Sequence, residues 1–406
     1  MTMKNIHIPH PLLNGRLPRI VALLVLACGL VACANRPSGS TAAVPFEQAV
    51  QQAVDDLMVQ TQQLPAFLAK VESKLKPNRI VIDPLLDGAS GQQTEVTRAA
   101  EQRVVQRMQE RFSQFTVTPF SSDDVEKAQY VLNGTLSRGK DGGPYRLALA
   151  LTELKSGTVI AQAAARISDA KLDTRPTAFY RDSPVNPKDR TTEGYIRTSE
   201  TPAGQPADAL YLERLSTSAV LQEAIAAYEG GRWQDALARY EAAARRQDGQ
   251  QLRVYSGLYL TQAQLGRTAD AEASFGKLAR LGLETNNLSV KFLFRPGTTD
   301  FLGDPKISGV YPMWLRQIAR QAVQTESCVV VTGHTSRTGS EQVNERLSLQ
   351  RAQAVKTRLA VEAPALSKKL REAGKGFHEN IVGTGTDDAS DALDRRVEFK
   401  TATCEA

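Results

Sequence analysis

Histidine, aromatic residues, long apolar runs and net charge are all scarce in this chain of 406 residues. The apolar run from Ile20 to Ala32 has 13 residues, which make a helix of about 20 Å, whereas a bilayer's hydrocarbon core is about 30 Å thick. With 41% hydrophobic and 23% charged residues, the composition excludes a polytopic membrane protein, a collagen and a disordered chain. The length predicts two or three domains of roughly 100–200 residues each.

The net charge of the chain is low. It is +6, and Lys4, Arg16 and Arg19 supply three of these charges within an N-terminal leader. Without the leader the net charge falls to about +3. A charge this small on a chain this long gives no electrostatic basis for binding nucleic acid, so we expect no nucleic-acid partner.

Residues typical of catalysis or metal binding are also scarce. Beyond the leader the histidines are His334 and His378, and they show no metal-ligand spacing. A Gly-x-Ser-x-Gly nucleophile motif is missing, and Gly276-Lys277 lacks the remaining residues of a phosphate-binding loop. We therefore predict a protein that is not an enzyme, with no catalytic residues, no cofactor and no metal.

The leader, residues 1–32, has the form of a secretory signal peptide, with a basic stretch before the short apolar run. It ends in Leu30-Val31-Ala32-Cys33, which resembles the bacterial lipobox. The resemblance implies that Cys33 becomes the acylated first residue and that residues 33–45 form a lipidated tether. Ala34, in place of an aspartate, implies the outer membrane, with the protein facing the periplasm. Two alternatives are an ordinary secretory signal and acylation at Cys28.

Residues 46–168 alternate between helical and strand patterns. We predict helices over 46–76 and 95–112, with Pro65 ending or kinking the first, and strands over 79–84 and 115–120. Three further strands, 130–136, 145–154 and 158–167, should form an antiparallel meander. This α+β unit resembles the CsgG/LpoB/FlgO-like outer-membrane lipoprotein domains in its Ala-x-Tyr-Val-Leu-x-Gly strand at 128–134 and its hairpin at 156–159. The alternative is an unrelated small α+β domain.

Two different patterns follow. Residues 169–210 contain five prolines among polar residues, which predicts a linker or long exposed loop. Residues 211–284 contain an internal repeat, because Gly231 to Ala243 aligns with Gly266 to Leu278 at an offset of 35 residues. The repeat resembles two tetratricopeptide-type helical hairpins, which implies contact with another protein. The alternative is a plain four-helix spacer.

The C-terminal region, residues 286–406, carries five ordered motifs. Residues 290–294 fit Val-x-Phe-x-Phe, residues 333–339 read Gly-His-Thr-Ser-Arg-Thr-Gly, and residues 344–352 carry Asn-x-x-Leu-Ser-x-x-Arg-Ala. Val-Gly-Thr-Gly at 382–385 fits the end of a third strand, and Asp-Arg-Arg-Val-Glu at 394–398 fits the closing motif. Together they resemble an OmpA-like peptidoglycan-binding domain. The resemblance implies a βαβαββ fold, so the whole chain is predicted to be a multidomain α+β protein.

The resemblance also implies a binding site. Helical periodicity places Arg351 and Asn344 within the apolar arc from Val343, where an arginine needs acceptors for its five donors. One alternative is a structural arginine paired with a carboxylate or backbone carbonyls. In the family, however, the matching arginine binds the carboxylate of diaminopimelate in the peptidoglycan stem peptide. The candidate site residues are Thr335, Ser336, Asn344, Arg351, Arg395 and Arg396.

Ser336 departs from the family pattern. The family has an aspartate here, which pairs with the diaminopimelate ammonium, and a hydroxyl cannot neutralise that charge. Hydrogen bonds to charged groups contribute about 1.5–3 kcal/mol and neutral ones roughly 0.5–1.5. A difference of about 1.5 kcal/mol predicts roughly tenfold weaker binding. Asp387 and Asp388 are candidates to supply the missing charge.

Two cysteines lie beyond Cys33. Cys328 opens the second predicted strand of the C-terminal region and Cys404 follows the last. If these strands run antiparallel, the thiols meet, and the periplasm is oxidising. We predict a disulfide; the alternative is two unpaired thiols.

These expectations combine into an outer-membrane lipoprotein that tethers the membrane to peptidoglycan non-covalently and recruits an envelope protein partner. Two modest attachments on one chain reinforce each other through effective concentration. The alternative is an accessory or regulatory lipoprotein that assembles or activates an envelope machine, such as a flagellum, a secretion system or a cell-wall synthase.

Overall fold

The computed structural model describes residues 42–62, 78–139, 142–385 and 390–404, all within one compact unit spanning 39–406. The predicted signal peptide, Cys33 and most of the tether lie outside the described residues, as do Pro65, Asp387 and Asp388. No described helix combines the length and the apolar character needed to cross a membrane.

The N-terminal part is built on a seven-stranded sheet. Its order is β1-β7-β6-β5-β2-β4, with the short β3 beside β5. The meander predicted from the sequence is confirmed, because β5, β6 and β7 pair antiparallel, whereas the other pairs are parallel. The strands are β1 Ala43–Val44, β2 Asn78–Ile82, β3 Leu86–Asp87, β4 Phe115–Pro119, β5 Tyr130–Arg138, β6 Tyr145–Glu153 and β7 Thr158–Ile167.

Two long helices pack against this sheet through apolar stripes. Helix α1 spans Phe46–Gln62 and α2 spans Glu95–Arg111; a short α3, Ser122–Val125, follows β4. In α2 the buried apolar residues recur at helical spacing: Val96, Ala100, Val104 and Met108. Thr94 caps α2, because its hydroxyl accepts a hydrogen bond from Thr97 N and satisfies a donor that the helix leaves open. The predicted 46–76 helix is described only as far as Gln62.

The segment predicted as a linker is ordered and partly buried, so that prediction is wrong. It forms α4 Ala178–Asp182, α5 Arg190–Ser199 and α6 Ala209–Glu213. Phe179 and Tyr195 of this segment are 0 and 4% exposed, and Tyr211, directly after it, is 1% exposed. The polar residues that suggested a loop cap these helices instead: the Asp189 carboxylate accepts from Thr192 N, and that of Asp208 from Tyr211 N. A few aromatic anchors thus hold a polar segment in place.

Four antiparallel helices follow in the predicted repeat region: α7 Leu215–Glu229, α8 Trp233–Ala244, α9 Leu252–Gln264 and α10 Thr268–Glu284. Gly231 and Gly266, at equivalent positions, both have φ near +70°, a conformation that favours glycine. Tyr240 and Phe275, also equivalent, are fully buried. The two helical hairpins are therefore present, and their tetratricopeptide character remains a prediction.

The C-terminal part has the predicted βαβαββ order, with a sheet of order β10-β9-β11-β8. A short α11 precedes α12, and 3-10 turns lie at Pro364–Leu366 and Ser390–Leu393. The main elements are β8 Leu288–Val290, α11 Pro305–Ser308, α12 Tyr311–Val323, β9 Cys328–Gly333, α13 Glu341–Glu362, β10 Leu370–Gly374 and β11 Val397–Ala402.

Three details of this region differ from the sequence prediction. The first strand ends at Val290, and Phe294 forms a separate bridge with Phe301. The third strand is β10, whereas residues 382–385 form an irregular loop. Val343 is 49% exposed, because the buried residues of α13, among them Asn344, Ser348 and Val355, lie about 100–140° around the helix from it.

A disulfide joins Cys328 and Cys404, whose Cα atoms are 5.0 Å apart. The pairing that we predicted arises from the antiparallel ladder of β9 and β11, in which Ala402 lies opposite Cys328.

The helical block and the C-terminal sheet share one apolar core. Phe275 of α10 stacks on Trp314 of α12 with ring centroids 5.4 Å apart, and Trp314 Nε1 donates to Tyr259 Oη at 2.9 Å. Val185, from the segment predicted as a linker, bridges to Val290 of β8. The domain boundary that we predicted between residues 284 and 286 therefore lies between two regions that share a continuous apolar core.

Candidate functional site

The candidate site lies where β9 ends and α13 begins, and two glycines let these elements approach closely. A Cβ atom on Gly333 would lie 2.1 Å from Ser348 O, and one on Gly374 would lie 2.5 Å from Leu349 N. No side chain fits at such distances. Glycines at the ends of β9 and β10 thus allow the α13 backbone to rest directly on both strands.

The loop between β9 and α13, residues 334–340, is held by hydrogen bonds at both ends. Thr335 N donates to Gly376 O at 2.9 Å. Asn344 Nδ2 donates to Thr338 O at 2.9 Å and to Ser340 O at 3.1 Å. Asn344, which the sequence places in the binding site, therefore has a clear role in fixing the loop beside it.

Asn344, Ser348 and Arg351 occupy one face of α13, because they are four and then three residues apart. All three are buried, and Arg351 is only 6% exposed. Ser348 Oγ accepts from Gly376 N at 2.9 Å. The predicted burial of Arg351 and Asn344 is thus found, on the face that also holds the loop.

Backbone carbonyls and an aromatic ring orient the Arg351 guanidinium. Its Nε donates to Thr298 O at 3.1 Å and its Nη2 to Arg295 O at 3.3 Å. Its Cζ lies 4.7 Å from the centre of the Phe294 ring, within cation–π range. The carbonyls match the structural alternative for this arginine. They also fix the orientation of the planar donor fork.

Thr335 and Ser336 lie in the same loop and are 2% and 7% exposed. Thr335 Oγ1 is buried, and among the described residues it has no hydrogen-bond partner. A buried hydroxyl without a partner is uncommon. Thr335, Ser336 and Asn344 are therefore brought together around one loop, as the sequence predicts.

The two closing arginines have separate environments. Arg396 is 3% exposed and forms an ion pair with Glu398 at 2.8 Å; its Nη2 also donates to Glu379 O. Arg395 lines a different cavity, beside α12. The structure thus gives Arg396 a structural ion pair and places Arg395 in the lining of that cavity.

Glu398 links Arg396 to His334. His334 Nε2 lies 3.7 Å from Glu398 Oε2, and its backbone N donates to Arg396 O. Burial lowers the pKa of His334. Burial alone would raise the pKa of Glu398, but His334, Arg396 and Lys400 together hold it below its ordinary value. The backbone of His334 thus joins the end of β9 to the start of β11, whereas both of its ring nitrogens are buried without a hydrogen-bond partner among the described residues.

Asp394 has a role that the sequence analysis missed. Its carboxylate accepts hydrogen bonds from the backbone N atoms of Ile381, Val382 and Gly383 at 2.7–3.0 Å. Residues 382–385, predicted as the end of a strand, are therefore a loop wrapped around a carboxylate. The acidic residue directly before the arginine pair is the sequence signal that could have indicated it.

A second group that the sequence did not reveal combines Glu341 and Glu345 of α13 with His378. His378 Nε2 lies 3.3 Å from Glu341 Oε1 and 3.2 Å from Glu345 Oε1. All three side chains are exposed. The contact of a histidine with two carboxylates is sufficient to explain the cluster without a bound ion.

Residues 293–392 match the sequence profile of the OmpA family. No curated protein matches the chain significantly. Among solved structures, a peptidoglycan-associated lipoprotein from Burkholderia pseudomallei is 23% identical, with 28% of this chain and 89% of that chain covered and a TM-score of 0.24.

Two further structures match the same share of the chain. The cell wall anchor of the T6SS from Pseudomonas aeruginosa is 22% identical, with 29% of this chain and 80% of that chain covered and a TM-score of 0.23. The periplasmic domain of Helicobacter pylori MotB is 18% identical, with 29% and 82% covered and a TM-score of 0.24. The profile match, taken with the βαβαββ order, identifies the C-terminal part of this chain as an OmpA-like domain.

Proposed function

We propose that the OmpA-like domain binds peptidoglycan and that Arg351 receives the carboxylate of diaminopimelate in the stem peptide. The observation that carries the proposal is the buried guanidinium of Arg351 on the α13 face that holds the loop 334–340. A guanidinium held in one orientation presents its donors as a fork, which suits bidentate binding of a carboxylate. The cation also lies on an aromatic ring, so little conformational entropy is lost when a ligand binds.

In this proposal Ser336 is the reason for modest affinity. It occupies the position at which the family has an aspartate for the ligand ammonium, and it supplies a neutral hydroxyl. Replacing a charged hydrogen bond with a neutral one weakens binding by roughly tenfold. Ser336→Asp is therefore expected to bind the wall more tightly than the wild type.

The test is co-sedimentation of residues 39–406 with purified diaminopimelate-type sacculi. This span is one compact unit, and it keeps the core that the OmpA-like domain shares with the helical block. We expect the wild type to pellet, Ser336→Asp to pellet at lower sacculus concentration, and Arg351→Ala to stay in solution.

Arg358→Ala is the matched control. Arg358 lies on the same helix, and its guanidinium also stacks on an aromatic ring, 4.6 Å from the centre of Phe301. Thermal unfolding of each variant separates loss of binding from loss of fold. Wild-type protein that stays in solution, or Arg351→Ala that pellets as the wild type does, would contradict the proposal.

We further propose that the chain is a non-enzymatic lipoprotein of the outer membrane, anchored at Cys33. The lipobox-like Leu30 to Cys33 and the following Ala34 support this proposal. Such an anchor would hold the N-terminal end of the protein in the membrane through several acyl chains, while the C-terminal domain binds the wall. The test is metabolic labelling with a palmitate analogue. Label is expected in the wild type and lost in Cys33→Ser, whereas Cys28→Ser keeps it.

A protein partner for residues 46–284 is the remaining proposal. It rests on the resemblance of the helical repeat to protein-binding hairpins. Crosslinking in intact cells, with photoreactive residues placed on the exposed side of α8 and α10, tests it. A single reproducible crosslinked protein would favour the alternative of an accessory lipoprotein serving an envelope machine, and its absence would favour a simple tether.

A further inference from the structure

A second cavity, of about 510 Å³, lies where three parts of the chain meet. Its walls come from residues 176–184, from α9, and from α11 and α12 of the OmpA-like domain. Its volume falls within the range of about 300–1,000 Å³ typical of small-molecule sites. It is separate from the loop 334–340, whose residues do not line it.

One wall of this cavity is aromatic and aliphatic. Tyr311 and Trp314 of α12 lie together, with ring centroids 5.0 Å apart, and Tyr259 accepts the Trp314 Nε1 hydrogen bond at 2.9 Å. Ile307 and Val310 also line the cavity and are 36% and 37% exposed. This wall is suited to an apolar ligand body.

Lys291 supplies a polar part of the cavity lining. It is 9% exposed, and its Nζ donates to Tyr180 O at 3.1 Å and to Arg181 O at 2.8 Å. An ammonium group has three donors, so these carbonyls account for two of them. Carbonyls orient a buried cation without neutralising it, and such a charge is costly to bury unless an anion joins it.

The other charged groups that line the cavity are mainly cationic. Arg181 and Lys306 add to Lys291, and the carboxylate beside them is that of Asp182. Asp182 is already engaged, because its Oδ1 lies 3.0 Å from Arg181 Nε and its Oδ2 accepts from Tyr228 Oη at 3.0 Å. The surplus of positive charge beside an apolar wall favours a ligand of opposite charge with an apolar body.

We propose that this cavity binds a small anionic amphiphile, a molecule with one carboxylate or phosphate group on an apolar chain. Lys291 receives the anionic group, with Arg181 and Lys306 around it, and the wall of Tyr311 and Trp314 receives the chain. The site draws on the helical block and the OmpA-like domain together, and it does not depend on peptidoglycan binding.

The test uses the fluorescence of Trp314. The chain has two tryptophans, so residues 39–406 carrying Trp233→Phe report on the cavity alone. The probes are decanoate, decyl phosphate, decanol and decyltrimethylammonium, each below its micelle-forming concentration. We expect saturable binding of at least one anion, tenfold or more weaker binding of decanol, and no binding of the cationic probe. Comparing decanoate with decyl phosphate distinguishes a fatty carboxylate from a phosphate-bearing ligand.

Lys291→Met tests the head-group contact. It keeps the side-chain length and removes the charge, so anion binding should weaken about tenfold or more while decanol binding is unchanged. Lys306→Met, at an exposed position, should weaken anion binding less and serves if Lys291→Met does not fold. Lys277→Met, outside the cavity, is the matched control. Equal binding of decanol and both anions, or anion binding that neither cavity variant weakens, would overturn the proposal.

Proton uptake gives an independent readout. Burial lowers the pKa of Lys291 to about 7, with Arg181 lowering it further and Asp182 opposing the shift. At pH 8 the free amine is therefore mostly neutral, and a bound anion, by raising this pKa, should take up close to one proton per ligand. Calorimetry in buffers of different ionisation enthalpy measures this uptake. An anion that binds the wild type without proton uptake would overturn the assignment of Lys291.

Discussion

Tyr211 Oη donates a 2.9 Å hydrogen bond to Asp83 Oδ2, which joins α6 to the end of β2. Both side chains are buried, at 1% and 8% exposed. Burial raises the pKa of Asp83 to about 7, although the bond from Tyr211 and the charge of Arg253 oppose the shift. Helix α6, which crosses the end of the segment predicted as a linker, is thus attached to the N-terminal sheet through a carboxyl group that titrates near neutral pH.

The first prediction follows from this carboxyl group. Its pKa is about 3.9 in an unfolded chain and about 7 in the folded one, so its contribution to stability is complete below pH 4 and is lost as the pH rises to 7. Asp83→Asn keeps an acceptor for Tyr211 and removes the charge. We expect it to be more stable than the wild type at pH 8, by up to about 4 kcal/mol, and no more stable at pH 4.

Urea unfolding at several pH values measures this difference. Glu101, whose pKa burial also raises to about 7, leaves part of the pH dependence in place. Asp235→Asn, at an exposed position of α8, is the control and should follow the wild type. An Asp83→Asn variant that is less stable than the wild type at pH 8 would show that the carboxylate is stabilising.

The second prediction concerns Tyr195 of α5, whose hydroxyl lies among backbone groups of the N-terminal part. It accepts from Gly134 N at 2.9 Å and lies 2.8 Å from Pro84 O and 2.9 Å from Gly134 O. Tyr195→Phe leaves a buried N–H without its partner, so we expect a loss of about 1–3 kcal/mol in the free energy of unfolding. Chemical denaturation measures it.

Tyr255→Phe, at a half-buried position of α9, is the control for the second prediction. A Tyr195→Phe variant as stable as the wild type would mean that α5 is not fixed to β5 in solution.

Tyr195 also explains why the linker prediction failed. The segment has too few apolar residues to give a periodic signal, and its prolines and polar residues suggest a loop. Its order comes from isolated aromatic residues such as Tyr195, whose hydroxyl contacts backbone atoms of Gly134 and Pro84, 61 and 111 positions earlier. Local patterns do not encode such contacts. The meander was predictable because its strands and turns carry local signals, and the order of the C-terminal elements was predictable from motifs that resemble those of a known family.

The candidate site, like the fold, was predictable from the sequence only in part. The burial of Arg351 followed from helical periodicity, and the pairing of Cys328 with Cys404 followed from two antiparallel strands. The sequence marks Asp394 only as an acidic residue before the arginine pair, and it does not show which backbone atoms the carboxylate binds. The cavity at Lys291 could not be predicted, because its lining atoms come from segments that only the tertiary fold brings together. Lys291 occupies a variable position of the strand motif, and its carbonyl partners lie 110 and 111 residues away.

The third prediction concerns the packing of α8 against α9. A Cβ atom on Gly257 would lie 2.1 Å from Cε1 of Tyr240, a fully buried ring. Gly257→Ala therefore overpacks the helical block, and we expect it to lose about 1–3 kcal/mol despite the better helix propensity of alanine.

Gly276→Ala is the matched control for Gly257→Ala. Its Cβ would meet Gln317 Oε1 at 2.9 Å, the end of a flexible side chain that can move aside. Thermal unfolding should show a clear loss for Gly257→Ala and little change for Gly276→Ala. Equal stability of the two variants would mean that Tyr240 can move away without cost.

The fourth prediction concerns the disulfide of Cys328 and Cys404, which are 76 residues apart in the sequence. Closing a loop of this length restricts the unfolded chain and contributes about 4–5 kcal/mol in the entropic description. Reduction should therefore lower the urea midpoint of residues 39–406, with free thiols counted to verify that the bond is broken. The variant with both Cys328→Ala and Cys404→Ala should unfold near the urea midpoint of the reduced wild type, and adding reductant should not change its midpoint.

Because Cys404 follows the last strand, the native contacts of β11 should survive reduction. Peptidoglycan binding at low temperature should therefore persist while the urea midpoint falls. An unchanged midpoint with two free thiols would contradict the prediction.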